Sequence, residues 1–156
     1  MSIKDNTALV IRYVQEVLNK GRIDSIDLIC APDLIIHLPQ FLGALRGREV
    51  LKQLINYNRT VFPDGHVDIE DTIAERDKVS ARGTFHGTYH GTPLERTIAD
   101  GVRPIVVTSG IAIFRIVGGK IAEMWLEENF IDVLRQLGIP VAFPPELALA
   151  KGLWSN

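Results

Sequence analysis

The chain has 156 residues, of which 46% are hydrophobic and 23% are charged, and its formal net charge is −2. This composition is typical of one globular domain, which at this length can bury a core without disulfides or metals. The balanced charge provides no basic footprint of the kind that nucleic acid or an anionic lipid surface requires. We therefore expect neither nucleic acid nor a membrane among its partners.

The cysteine content and the N-terminus predict a cytoplasmic protein. The single cysteine, Cys30, cannot form an intrachain disulfide, and the apolar residues around it indicate a buried side chain rather than a nucleophile. Residues 1–6 are polar and charged, unlike a signal peptide. No apolar run approaches the ~18 residues that a membrane span needs.

The first half of the chain predicts mainly helices. Apolar residues at helical spacing indicate one helix over 7–20 and another over 48–61, with a shorter helix over 24–30 between them. The apolar run over 34–38, closed by a proline, predicts a short strand.

The second half predicts strands, because the apolar period changes from helical to alternating after Gly65. A long loop rich in Gly, Pro and Thr covers 87–104, a length typical of functional lids. A last helix covers 131–137. The predicted strands are 67–73, 79–86, 105–117 and 120–128. Helices followed by strands predict an α+β domain with helices packed on one face of an antiparallel sheet.

Six segments, in order along the chain, carry a family resemblance. They are Asn-Lys-Gly at 19–21, residues 31–39, Phe-Pro-Asp at 62–64, Arg-Gly-Thr at 82–84 with Gly87, Gly91 and Pro93, residues 113–123, and Gln-Leu-Gly at 136–138. Together they resemble the SnoaL-like polyketide cyclases, within the superfamily of nuclear transport factor two and ketosteroid isomerase. We therefore assign residues 1–138 to a SnoaL-like α+β barrel domain and residues 139–156 to a C-terminal extension.

The resemblance implies a fold and a chemistry. The fold is a cone-shaped, curved antiparallel sheet wrapped around helices, which encloses a deep pocket. The resemblance also implies a homodimer formed through the sheet, with no metal and no organic cofactor. In the cyclases the reaction is an intramolecular aldol condensation, in which an acidic residue removes and returns protons. Because this superfamily uses one pocket for many reactions, the fold alone does not fix the function.

The hairpin at Gly118-Gly119 predicts which residues face that pocket. A three-residue loop with Gly119 left-handed pairs Ile116 with Lys120 and Phe114 with Ala122. One face then carries Gly110, Ala112, Phe114, Ala122, Met124, Leu126 and Glu128. Because this set is apolar except for Glu128, we assign it to the pocket. The other face, which includes Arg115, Glu123 and Trp125, is expected at a dimer interface.

The positions that match the family's catalytic residues are mostly apolar in this chain. By resemblance, Leu126 stands where the cyclases have their catalytic acid, and Ala112 stands where they have its polar partner. Leu38 stands where ketosteroid isomerase has its general base, and Ala112 again where it has its acidic hydrogen-bond donor. Only Tyr13 resembles a catalytic residue that this chain keeps, the phenol donor of the isomerase. Tyr57, Phe62 and Phe85 are candidate aromatic walls of the pocket. The full set of residues expected to bind substrate is Leu38, Tyr57, Phe62, Phe85, Ala112, Phe114, Met124 and Leu126.

Three residues are candidates for catalysis. Glu128, beside apolar neighbours, would lose hydration and gain a raised pKa that suits a general acid or base; the alternative is an exposed position at the rim. His37 lies in an apolar strand and would shuttle protons near neutral pH, or be a core or interface histidine bonded to a carbonyl. Tyr13 would donate a hydrogen bond to a developing oxyanion, or be a core tyrosine whose hydroxyl reaches the surface.

His86 and His90 stand four residues apart, a metal-ligand spacing on a helix. In a strand that spacing spans ~13 Å, which is too far for one ion. We therefore expect no metal there.

Two classes of function stay open. The first is a cofactor-free enzyme that cyclises or isomerises a small apolar carbonyl compound such as a polyketide, by proton transfer or by holding the substrate folded. The second is a non-catalytic protein that binds a hydrophobic ligand or serves as an accessory subunit. Epoxide hydrolysis, a weaker third class, needs two carboxylates and an arginine around a water, and the predicted pocket face offers no such set.

Overall fold

The computed structural model describes residues 2–92 and 102–142 of the chain. Within these residues the helices are α1 (Ile3–Tyr13), α2 (Ser25–Ile29), α3 (Arg48–Val61) and α4 (Phe130–Gln136), and α1 continues as a π-helical segment, Val14–Asn19. The strands in the same described ranges are β1 (Cys30–His37), β2 (Leu45–Arg46), β3 (His66–Glu75), β4 (Lys78–Thr88), β5 (Ile105–Val117) and β6 (Lys120–Glu128). These elements confirm the predicted α+β class.

The six strands form one curved sheet in the order β2-β1-β6-β5-β4-β3. The four long strands β3 to β6 pair antiparallel, as predicted, whereas β1 runs parallel to β6. Within the described residues the edge strands β2 and β3 do not pair with each other, so the sheet stays unclosed. No helix in this part of the chain combines the length and the apolar character needed to span a membrane.

The first helix begins earlier than its apolar pattern predicts, because a capping box stabilises its N-terminus. The Ser2 hydroxyl accepts a hydrogen bond from the Asp5 backbone, and the Asp5 carboxylate accepts one from the Ser2 backbone. Further along, Val10, Tyr13 and Val17 are buried, as their spacing predicts. This face of the helix packs against the inner face of the sheet and builds the core.

The β5–β6 hairpin differs from its predicted pairing. Gly118 and Gly119 both have positive φ, +56° and +75°, which is the backbone of a two-residue type I′ turn. This turn pairs Ile116 with Ile121 rather than Lys120, so the predicted pairing was wrong by one residue next to the turn. Ala122 is the extra residue of a bulge and adds a second shift, so Phe114 pairs with Met124 rather than Ala122. A shift of two leaves the face of each strand unchanged, so Gly110, Ala112 and Phe114 still oppose Glu128, Leu126 and Met124.

Two predicted segments lie partly outside the described residues. The loop predicted over 87–104 includes 93–101, and the C-terminal extension includes 143–156. Cys30 belongs to β1 rather than to the preceding helix. It is fully buried, and burial raises the pKa of its thiol to about 12, which agrees with a packing role.

Candidate active site

A cavity of about 450 Å³ lies between the inner face of the sheet and the helices. Its walls are largely apolar and come from α1, α3 and α4 as well as from the inward side chains of β1, β5 and β6. All eight residues expected to bind substrate line it: Leu38, Tyr57, Phe62, Phe85, Ala112, Phe114, Met124 and Leu126. The alternating pattern of the strands explains this agreement, since it separates an apolar inner face from a polar outer face.

A second cavity of about 210 Å³ adjoins the first, toward β3 and β4. The two share walls at Phe62, Phe85, Ala112, Leu126 and Glu128. Among the described residues of both linings, Glu128 is the one acidic side chain. A molecule that occupied both spaces would therefore pass beside this carboxyl group.

Glu128 ends β6 on the inner face, opposite Gly110. Burial raises the pKa of its carboxyl group above the ordinary value, and a hydrogen bond from the Gln40 amide opposes that shift. A carboxyl group with a raised pKa populates both protonation states closer to neutral pH, which a general acid or base requires. Gln40 follows the end of β1, and no pattern in the sequence indicated its contact with Glu128.

Tyr13 reaches the same cavity from α1. Its hydroxyl lies 4.0 Å from the Met124 sulfur, a weak acceptor, and its ring meets Phe114 edge-on with centroids 5.7 Å apart. Burial, with a smaller contribution from Cys30, raises the pKa of the phenol. The hydroxyl group therefore stays neutral and remains available as a donor to a polar atom in the cavity.

Thr108 is a polar wall residue that sequence reasoning missed. It is 6% exposed, lines both cavities, and its hydroxyl has no hydrogen-bond partner within the described residues. A buried unpaired hydroxyl is costly, so its presence beside a cavity indicates a position suited to a polar ligand atom. Thr108 lies two residues before Gly110, so extending the even-numbered inward pattern of β5 toward its N-terminus would have found it.

His37 lies away from this cavity, on the outer face of β1. Its Nε2 is 2.9 Å from Glu123 Oε1, and its ring stacks on Trp125 with centroids 5.2 Å apart. Leu34 and Ile36, three residues and one residue before it on the same strand, are buried, so alternation turns His37 outward. The structure thus brings Tyr13 and Glu128 to one cavity and separates His37 from both.

Glu123 is the centre of a charged cluster on that outer face. Besides His37, it accepts hydrogen bonds from Arg115, with Nε at 3.0 Å and Nη2 at 2.9 Å from Oε2. The hydrogen bond from His37 is the largest cause that lowers the pKa of Glu123, and the Arg115 guanidinium adds to it. This carboxylate stays ionised and holds neighbouring strands together.

An aromatic cluster closes one end of the cavities. Phe62 meets Phe85 and Tyr89 edge-on, with centroids 5.2 Å and 5.7 Å apart. Asp64 fixes this end, since its carboxylate accepts hydrogen bonds from the Thr88 backbone N–H at 2.7 Å and from the Thr88 hydroxyl at 2.6 Å. The Phe-Pro-Asp segment thus shapes the cavity wall and anchors the end of β4.

The fold and the enclosed apolar cavity define an α+β domain of the cone-shaped type that the segments of the sequence predicted. A family model described as SnoaL-like polyketide cyclase matches residues 8–137. The chain therefore belongs to the SnoaL-like polyketide cyclase family. A search of curated proteins gave no significant match.

Solved structures share this fold at low sequence identity. AclR from Streptomyces galilaeus, a proposed hydroxylase, is 23% identical, with 97% of this chain and 92% of AclR covered and a TM-score of 0.74. TsrD from Streptomyces laurentii is 24% identical, with coverage of 90% and 99% and a TM-score of 0.74. A proposed polyketide cyclase from Bacillus cereus is 26% identical, with coverage of 90% and 87% and a TM-score of 0.72.

Proposed function

We propose that this chain is an enzyme that cyclises or isomerises a small, largely apolar carbonyl compound, such as a polyketide, by proton transfer without a cofactor. Family membership supports the reaction class. The cavity of about 450 Å³ supports the substrate class, because pockets for small organic molecules span roughly 300–1,000 Å³ and are mostly apolar.

The observation that carries this proposal is the environment of Glu128. Its carboxyl group is the one acidic group that the described part of the chain contributes to either cavity, and burial raises its pKa. In its ionised form Glu128 would remove a proton from the carbon beside a substrate carbonyl. In its protonated form it would return that proton to the product.

Two hydroxyl groups would stabilise the negative charge that develops on the substrate oxygen, by donating hydrogen bonds to it. Tyr13 and Thr108 both line the cavity, and within the described part of the chain neither hydroxyl has a strong acceptor. Donors already oriented toward a developing oxyanion stabilise the transition state without further reorganisation. His37 has no part in this proposal, because its imidazole faces Glu123 on the outer face.

A second candidate function is the binding of a hydrophobic ligand without catalysis. Leu38, Ala112 and Leu126 occupy the positions that resemble the family's acid and base residues, and all three are apolar walls of the cavity. A pocket of this kind would hold a ligand by apolar burial alone.

The test compares Glu128→Gln with Glu127→Gln, a change of the exposed neighbour on the same strand. Aromatic ketones of polyketide type would be screened by quenching of protein fluorescence and by mass spectrometry of products. We expect Glu128→Gln to lower turnover by about 10²–10⁴-fold while binding persists, and Glu127→Gln to leave both unchanged. Binding without turnover in the unmodified protein would establish the second function instead.

We also propose a homodimer formed through the outer face of the sheet, in a protein of the cytoplasm. The outward residues of β5 form an apolar stripe that includes Val107, Ile111 and Ile113, each 40–48% exposed. A second copy would bury this stripe. Sedimentation of Ile111→Lys should show loss of the dimer; an unchanged sedimentation profile would contradict this interface.

A further inference from the structure

A pair of histidines projects from the outer face at the start of the β3–β4 hairpin. His66 of β3 lies directly opposite His86 of β4. Their rings are nearly parallel, with centroids 5.1 Å apart and an angle of 13° between planes. Val67 and Phe85, the next residue along β3 and the preceding residue of β4, line the smaller cavity, and His66 borders it. The two imidazoles are side by side and partly exposed, with side-chain exposures of 49% and 38%.

Asp68 lies two residues along β3 and shares the outer face. Its Oδ2 is 3.7 Å from His66 Nε2 and 3.5 Å from His86 Nε2. One ligand atom from each of the three residues lies within 4.8 Å of the others. Around a tetrahedral zinc ion with bonds of ~2.0–2.2 Å, ligand atoms stand roughly 3.3–3.5 Å apart. The two separations from Asp68 Oδ2, 3.7 Å and 3.5 Å, are already close to that value.

The surroundings orient these groups as ligands. His66 Nδ1 is 3.3 Å from the Asp64 carbonyl oxygen, so a proton on Nδ1 is donated there and the lone pair of Nε2 faces Asp68. A backbone carbonyl on the second ring nitrogen is the usual support of a metal-bound histidine. Within residues 2–92 and 102–142, no Lys or Arg pairs with Asp68, whereas the nearby Glu70 is paired with Arg82.

We propose that His66, Asp68 and His86 bind one divalent transition-metal ion of the zinc class on the outer face of the sheet. Two imidazoles and one carboxylate favour zinc, copper or nickel over magnesium and calcium, which prefer sets of oxygen ligands. Water completes the coordination. The ion joins the edge strand β3 to β4 on the surface behind Val67 and Phe85, and so stiffens one wall of the cavities.

The experiment is a calorimetric titration of the full chain, free of any histidine tag and stripped with EDTA, with zinc chloride. We expect one zinc ion per chain and no heat with magnesium chloride. His66→Gln, His86→Gln and Asp68→Asn should each weaken zinc binding at least about tenfold, since even second-sphere changes cost 10–100-fold in metal affinity. Zinc should also raise the thermal midpoint of the unmodified protein and not that of these variants.

The matched control is His90→Gln, which removes an exposed histidine near the end of the same hairpin but outside the cluster. Zinc affinity should be unchanged in this variant. The proposal is overturned if zinc releases no heat, if His66→Gln and His86→Gln bind as tightly as the unmodified protein, or if His90→Gln loses as much affinity as they do. A stoichiometry of one ion per two chains also overturns it, because the ion would then be shared between copies.

Discussion

Two glutamates of the same strand show how differently the faces of the sheet behave. Glu123 lies on the outer face, where His37 and Arg115 lower the pKa of its carboxyl group. Glu128 lies five residues later on the inner face, where burial raises the pKa and the Gln40 amide is a neutral hydrogen-bond partner. Alternation along β6 alone separates them. The outer carboxylate holds strands together, whereas the raised pKa of the inner carboxyl group suits it to proton transfer.

The largest expected effect is on the free energy of unfolding, when a buried and an exposed apolar residue of the β5–β6 hairpin are each truncated. Ile121→Ala should lower the free energy of unfolding by about 2–5 kcal/mol, because Ile121 is fully buried. Val117→Ala, at the same end but 52% exposed, should change it by no more than about 0.5 kcal/mol. Urea unfolding measures both. Equal costs would mean that the faces are not distinguished by burial.

The next largest effect on stability is expected from removing the charge of Glu123 on the outer face. Glu123→Gln should destabilise the protein by about 1 kcal/mol at pH 7, because the amide loses the charged contacts with Arg115 and His37. Since folding lowers this pKa below the ordinary 4.5, the stabilisation is complete above that value and disappears as the pH falls through the lowered pKa. The difference in urea unfolding should therefore shrink at acid pH, and Glu127→Gln should show no such difference.

The carboxyl group of Glu128 on the inner face should change stability with pH in the opposite direction to that of Glu123. Folding raises the pKa of Glu128, so its contribution to stability is complete below the ordinary 4.5 and is lost as the pH rises through the raised value. Glu128→Gln should therefore be more stable than the unmodified protein at pH 7, by up to about 1 kcal/mol, and equally stable near pH 4. A loss of stability at pH 7 would mean that the Gln40 contact outweighs burial.

The smallest effect concerns the unpaired hydroxyl of the inner face. Thr108→Val keeps the shape of the side chain and removes an oxygen that has no partner within the described residues. Stability should rise slightly or stay within about 0.5–1 kcal/mol, while binding of a carbonyl ligand weakens. Calorimetric unfolding and ligand titration measure the two changes, with Ser80→Ala, a change outside both cavity linings, as control. A large loss of stability would reveal a hydrogen bond that Thr108 already makes.

Much of the fold followed from periodicity, because helical and alternating patterns are local properties of the chain. The inner set around Ala112 and Leu126 was predicted even though the hairpin pairing was wrong, since a shift of two preserves the face. His37 was considered beside the pocket because its strand is apolar, yet alternation from the buried Ile36 turns it outward. That signal was present in the sequence.

Other parts of the candidate sites depend on contacts that no local pattern specifies. Gln40 meets Glu128 across 88 positions of chain. The pairing of His66 with His86 depends on a bulge in β3, where Glu70 is the extra residue. Without that bulge, the pairing of Glu75 with Lys78 would place His66 opposite Gly87. A bulge shifts the register by one residue and so decides which side chains meet.

The most direct test of this account is a carbon-13 NMR titration of the side-chain carboxyl groups, with Glu123→Gln and Glu128→Gln used to assign the two signals. Glu128 should titrate above the ordinary glutamate value of 4.5, and Glu123 should titrate below it. That result would establish a protonatable carboxyl group in the wall of the cavity. If Glu128 titrated at or below 4.5, its carboxylate would be hydrated and the acid–base role proposed for it would be contradicted.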